Sequence, residues 1–218
     1  MAEPRVADVP AAGTAPVARS PIAAASPTAV IDGWEVSTRR STAALQLADC
    51  SAEAKVLVRA PAGGAVEAAL GVEHGRTRRD ETALIVGSGP GEWLVLGTPG
   101  TAGSTAERMA GRVAGAGEFV TVLDLTHGRA LVRLTGGDAA RLLAKMCAID
   151  LSDRVTPDGT AFRSSVAKLA TDVVRDDVAG ERSYLLHVER SSGQYLFDAL
   201  LDAGAEFGIE TAGSAERT

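Results

Sequence analysis

The chain has little of what most reactive centres are built from. Two cysteines occur in 218 residues, Cys50 and Cys147, with no CxxC spacing. That excludes a cysteine zinc site and a disulfide framework, and fits a reduced, cytoplasmic chain. The three histidines, His74, His127 and His187, share no i, i+4 spacing and have no carboxylate in a metal-ligand pattern. No Walker sequence is present. No apolar run approaches the roughly 20 residues of a membrane span. The N-terminus lacks a charged n-region followed by an apolar h-region, so it does not read as a secretory signal. Positive charge is also short: 22 basic against 28 acidic residues gives a formal net charge of −6. An electrostatic case for nucleic acid or an anionic membrane is therefore absent. The cluster Arg76, Arg78 and Arg79 runs straight into Asp80 and Glu81 and reads as a solvated loop.

What remains is globular. Apolar residues make up 45% and charged residues 23% of a chain long enough for one ordinary domain or two small halves. Met1 to Thr28 is rich in Ala, Pro, Val and Ser with almost no large side chains, so disorder is expected there, and again over 212–218. The ordered domain is expected over 29–211, in halves of about 54–125 and 126–211. Trp34 reads as a local hydrophobic anchor or a partner-facing one. Strand patterns at 55–60, 82–86, 92–96 and 119–125 interleave with helices at 61–70 and 104–113. A matching order follows: strand 130–134, helix 139–147, strands 160–169, 171–175 and 183–189, helix 191–203, strand 205–210. The fold class expected is α+β, a tandem split βαβ with the order β-α-β-β-α-β used twice.

The stretch Thr121 to Arg154 organises the rest. It reads as strand, polar hinge (Thr126-His127-Gly128-Arg129), strand, turn and helix, with Asp138 as N-cap and Leu142, Leu143 and Met146 as the apolar stripe. Gly204 is expected to close the later helix as its C′ residue. Chemistry is harder to find. The turn Gly87-Ser88-Gly89-Pro90-Gly91 joins two strands and is not a dinucleotide loop. Asp124, His127 and Arg129 could polarise a bound acid, but the favoured reading is that Asp124 and His127 satisfy hinge backbone groups while Arg129 pairs locally or across a subunit contact. His187, in an apolar strand, reads as a structural or interface histidine. Ser164-Ser165 and Ser191-Ser192 have no histidine placed by spacing. Cys147 ends a helix, where the dipole disfavours a thiolate.

The strings Asp124-Leu125-Thr126-His127-Gly128-Arg129, Leu134-Thr135-Gly136-Gly137-Asp138-Ala139, Leu143-Ala144-Lys145-Met146-Cys147 and Asp150-Leu151 occur in that order. With Gly89-Pro90-Gly91-Glu92-Trp93-Leu94 before them, they resemble the gamma subunit of heterotetrameric sarcosine oxidase. That family usually reads D-L-S-H-G-R, L-S-G-P-D-A, L-A-K-G-C-P-L-D-L and G-P-D-E-W-L. Thr126, Thr135, Gly137, Met146, Ala148 and Ile149 are departures. The likeness runs from about Lys55 to Ala203.

The resemblance implies a fold similar to the folate-binding domain of glycine-cleavage aminomethyltransferases. It also implies a non-catalytic subunit packed against the large alpha subunit, with beta and delta subunits in the complex. No catalytic, cofactor or metal residue is expected in this chain. FAD, FMN and NAD would belong to the larger subunits and zinc to delta. Trp93, His127, Arg129, Asp150 and Arg154 are the residues expected at or near the subunit contact. In the folate enzymes an acidic pair lies on the strand matching Lys168 to Val174, where only Asp172 is acidic here. That departure argues against independent folate chemistry. A free-standing tetrahydrofolate-binding transferase, with Asp172 or Asp124 facing the pteridine, is the alternative. A scaffold subunit of a related amine or betaine demethylase is another.

Overall fold

Alternating apolar residues along each strand here bury both faces of two sheets, one under helices and one against the other sheet. A computed structural model describes residues 16–213. Strands β1 (Ala18–Arg19), β2 (Thr28–Ile31) and β3 (Trp34–Ser37) form a small sheet in the order β1-β3-β2. The β2–β3 hairpin turns at Asp32 and Gly33, both at positive φ, which is the type I′ turn that an Asp-Gly pair favours. Strand β4 (Leu45–Asp49) follows.

The first large unit comprises β5 (Ala54–Arg59), α1 (Ala65–Leu70), β6 (Thr77–Arg79), β7 (Ala83–Gly89), β8 (Glu92–Gly97), α2 (Ala102–Val113) and β9 (Thr121–Asp124). Its antiparallel strands lie in the order β6-β7-β8-β5-β9. The second unit comprises β10 (Arg129–Gly136), α3 (Ala139–Ala144), β11 (Ala161–Val166), β12 (Leu169–Arg175), β13 (Ser183–Glu189), α4 (Gly193–Gly204) and β14 (Glu210–Ala212). Its sheet recruits β4, in the order β11-β12-β13-β10-β4-β14.

Side-chain alternation sets the layers. On β8, Trp93 and Val95 pack under α1 and α2, whereas Leu94 and Leu96 face the other sheet. On β10, Ala130, Val132 and Leu134 pack under α3 and α4, whereas Leu131 faces back. The result is helices, sheet, sheet, helices, with a middle core of Cys50, Leu84, Val86, Leu94, Leu96, Leu131, Val174 and Leu185.

This is an α+β chain with mixed sheets and few helices, and it departs from a β-α-β-β-α-β order used twice. The extra strand expected in the second unit is β11, and the first unit has one as well, the three-residue β6. The last strand, β14, does not return beside β10; it runs parallel to β4, which takes that place. Strand β4 went unread because it lies before the regular pattern. Residues 16–28 are not the expected disordered arm. They include β1, and Ile22 is buried in the core under α4, because one isoleucine among small residues suffices to anchor a strap. Residues 1–15 lie outside the described residues. Of the expected C-terminal tail, Ala212 lies in β14, the Gly213 amide donates to the Arg39 carbonyl, and 214–218 lie outside the described residues. Asp138 does not cap α3 with its side chain; it pairs with Arg141 instead. Gly204 remains helical, and the left-handed residue is Gly208, after one further tight turn. The expected strand 160–169 breaks earlier, into a β11–β12 hairpin with Ala167 and Lys168 at its tip.

Charged pins cross between the sheets. Asp176, after β12, accepts from Arg79 of β6 and from Arg133 Nη2 of β10 at 2.7 Å. Arg133 and Asp176 are buried, with side chains 7% and 9% exposed. Burial would raise the Asp176 carboxyl, but the Arg133 and Arg79 guanidiniums outweigh it and hold the acid below the usual carboxylate range. Lys55 of β5 is fully buried and its Nζ donates to the carbonyls of Ser51 and Glu53, each at 2.7 Å. Burial pushes its pKa down to about 8, with Glu53 and Asp49 partly opposing.

Two outcomes follow. Asp176→Ala strands the Arg133 guanidinium in the interior and is expected to cost about 3 kcal/mol or more in urea unfolding; a cost under about 1 kcal/mol would contradict this role. Between pH 8 and 10.5 the unfolded chain keeps a Lys55 proton that the folded chain has released, so Lys55 makes stability rise with pH. From pH 7.5 to 9.5 the wild type is expected to gain about 2 kcal/mol relative to Lys55→Met. Parallel pH curves would show that Lys55 is not the source.

Candidate functional site

The hinge between the two units holds most of the residues singled out from the sequence. β9 ends at Asp124, whose Oδ1 accepts the Thr126 amide at 2.8 Å and turns the chain. The buried Thr126 hydroxyl accepts the Lys55 amide at 3.0 Å, so a hydroxyl here, Ser or Thr, ties β5 to the hinge. His127 is exposed, and its ring stacks on Trp34 at 4.7 Å between centroids and 9° between planes. Trp34 is thus a local anchor, joining the small N-terminal sheet to the hinge. Arg190 reinforces the joint by donating to the His127 and Arg19 carbonyls. Arg129 pairs with Glu189 across the β10–β13 ladder at 2.6 Å. Asp124, His127 and Arg129 therefore each have a separate local partner.

The other expected contact residues divide. Asp150 and Arg154 are exposed on the loop after α3. Asp150 Oδ1 accepts the Ser152 amide at 2.9 Å, and that hydrogen bond holds its carboxyl below the usual range. Trp93 is a correction. It is 1% exposed, packed under α1 and α2, and its Nε1 donates to the Val72 carbonyl at 2.8 Å. Its strand alternation turns it toward the helices, so it offers no side-chain surface to a partner.

Of the two acids considered for folate, Asp124 is spent on its turn and Asp172 on a bridge between the sheets. The Asp172 carboxylate accepts from Arg163 of β11 and lies 3.2 Å from His187 Nδ1 of β13, while Arg163 Nη2 donates to Glu92 of β8 at 2.7 Å. Burial would raise the Asp172 acid, but hydrogen bonds from His187 and Arg163 outweigh it and keep it low. Arg163 is pushed up by Asp172 and Glu92. His187 is 5% exposed, and burial pushes its pKa down against the pull of Asp172. Burial thus favours the neutral imidazole, whose Nδ1 faces the Asp172 carboxylate, and its buried Nε2 has no hydrogen-bond partner among the described residues. Sequence reasoning missed Arg163 and Glu92. The available signal was a lone cation on a strand facing an acid on the next.

Both cysteines are buried, Cys147 with Ser164 Oγ 3.9 Å from its sulfur. Among the described residues no group of three His, Cys, Asp or Glu side chains could hold a metal ion, and no helix is long and apolar enough to cross a membrane.

Known proteins share this arrangement. The model of the GCVT N-terminal domain matches residues 56–218. A sarcosine oxidase subunit gamma from Corynebacterium sp. (strain P-1) is 30% identical over 187 residues, 81% of this chain and 88% of that protein. In a solved heterotetrameric sarcosine oxidase from Corynebacterium sp. U-96, one chain is 26% identical, with a TM-score of 0.65 over 82% of this chain and 90% of that one. The glycine cleavage system aminomethyltransferase T of Bartonella henselae has the same fold, with a TM-score of 0.64 at 18% identity, over 85% of this chain and 55% of that one. The chain belongs to the GCVT N-terminal domain family and, within it, to the sarcosine oxidase gamma subunits.

Proposed function

We propose that this gamma subunit is a non-catalytic part of a complex that oxidatively demethylates sarcosine. The complex would convert sarcosine, oxygen and tetrahydrofolate into glycine, hydrogen peroxide and a folate-bound one-carbon unit. Its partners would be the alpha subunit first, with beta and delta, and those chains would carry FAD, FMN, NAD and zinc. The observation that supports the reading best is the extent of the likeness. It covers about nine tenths of the gamma subunits compared but 55% of the aminomethyltransferase. A second support is that Asp172 is tied to Arg163 and His187 instead of facing a ligand. The exposed His127, Asp150 and Arg154, with half-buried Arg129, are the proposed subunit contact.

Co-expression with the subunits encoded beside it is expected to yield a yellow complex with flavin absorbance bands, whereas this chain alone elutes colourless. A chain that stays alone in that experiment would overturn the reading. In the complex, Arg154→Glu, at an exposed position, is expected to lower the retained gamma subunit several-fold at unchanged melting temperature; full retention would remove that residue from the contact. The rival, a free-standing transferase, has the GCVT match on its side. Calorimetric titration of the isolated chain with tetrahydrofolate separates the two: no saturable binding is expected, and micromolar binding would favour the rival.

A further inference from the structure

One hairpin is built against its own turn chemistry. Val166 pairs with Leu169, so the β11–β12 loop has two residues, Ala167 and Lys168, at φ of 49° and 67°. Two positive φ values define a type I′ turn, normally made with Asn-Gly or Asp-Gly because a Cβ is strained there. Asp32-Gly33 follows that preference in the same chain. The Ala-Lys tip is instead held from outside: the Ala167 amide donates to the Met146 carbonyl at 3.2 Å, and the Tyr195 hydroxyl donates to the Ala167 carbonyl at 3.3 Å. Backbone strain kept in place by neighbouring elements marks a position where geometry matters.

The pinned tip forms one wall of a groove of about 530 Å³. Lys145, Met146 and Cys147, just beyond α3, form another wall, with Tyr195 of α4 and Ser165 completing it. No carboxylate lines this groove, although the chain carries a net charge of −6. Of its two lysines, Lys145 is occupied, donating to the Ala203 carbonyl and pairing with Glu206. Lys168 is exposed and has no hydrogen bond or ion pair among the described residues. Tyr195 is 53% exposed, and Ile149, next in the chain after the lining Ala148, is 38% exposed. A cation without a counter-ion thus stands beside an aromatic face and a methionine.

We propose that this groove receives an acidic segment of a partner subunit, with a carboxylate on Lys168 and an adjacent apolar side chain on Tyr195 and Met146. Charge complementarity selects the occupant: the groove offers one unpaired positive group and apolar walls. The strained turn fixes where the Lys168 side chain leaves the backbone. The inference rests on the gamma-subunit reading and adds a contact to it.

The test is co-expression of tagged chain variants with the subunits encoded beside it, reading the partner retained and its dissociation at low and high salt. Lys168→Glu is expected to lower retention at least ten-fold, with the melting temperature of the free chain unchanged. Lys168→Gln is expected to flatten the salt dependence, which a purely structural residue would not alter. Arg40→Glu, the same charge change near β4 at the opposite edge of the sheet, is expected to be silent. If the wild type assembles and Lys168→Glu assembles equally well, the groove proposal is overturned and the gamma-subunit reading stands. If the wild type itself retains no partner, both fall.

Discussion

Two arginine–carboxylate bridges between the sheets, Arg79–Asp176 and Arg163–Glu92, are the constraint on which the rest depends. The two units each fold onto their own helices, and their inner faces meet in a core of small and medium apolar side chains. Such a face is non-directional and would tolerate sliding. The bridges remove that freedom because each needs one register between the sheets. Backbone bonds at Gly75 and Gly159 act the same way, joining the β6 region to the start of β11 through Ala161 and Thr77. With the Arg79 and Arg163 side chains 48% and 51% exposed, such pairs add little net stability compared with apolar packing, and their contribution is to specify one arrangement.

That constraint also bears on function. In a sheet-on-sheet interior, the acid that could have faced a ligand, Asp172, is instead the centre of a four-residue relay from Glu92 through Arg163 to His187. A carboxylate engaged this way is a poor ligand contact, since any newcomer must displace a charged hydrogen bond in a poorly solvated place.

Much of this was legible in the sequence and some was not. The hinge Thr126-His127-Gly128-Arg129, strand β10 and the start of α3 follow from local signals, because apolar periodicity there is uninterrupted. The GSGPG stretch is legible as a strand-to-strand connection for the same reason, although Gly87 to Gly89 belong to β7 and only Pro90-Gly91 separate it from β8. The β11–β12 turn was invisible because Ala167-Lys168 carries no turn chemistry; tertiary contacts from Met146 and Tyr195 impose it. The Ile31-Asp32-Gly33-Trp34 hairpin carries its own signal, an Asp-Gly pair between two short strands. Strand β4 could not be assigned by order, since it joins a sheet whose other strands all lie after residue 128. Trp93 shows the limit for sites: the family motif marks the residue, but strand alternation buries it.

The central claim is that this chain works as a bound subunit of a larger oxidase. The most direct measurement is native mass spectrometry of the complex purified through a tag on its partner, with and without this chain co-expressed. The account predicts that the two masses differ by 22.3 kDa, or a multiple of it, and that the increment survives dilution. Equal masses, with the 22.3 kDa chain left in the unbound fraction, would contradict it.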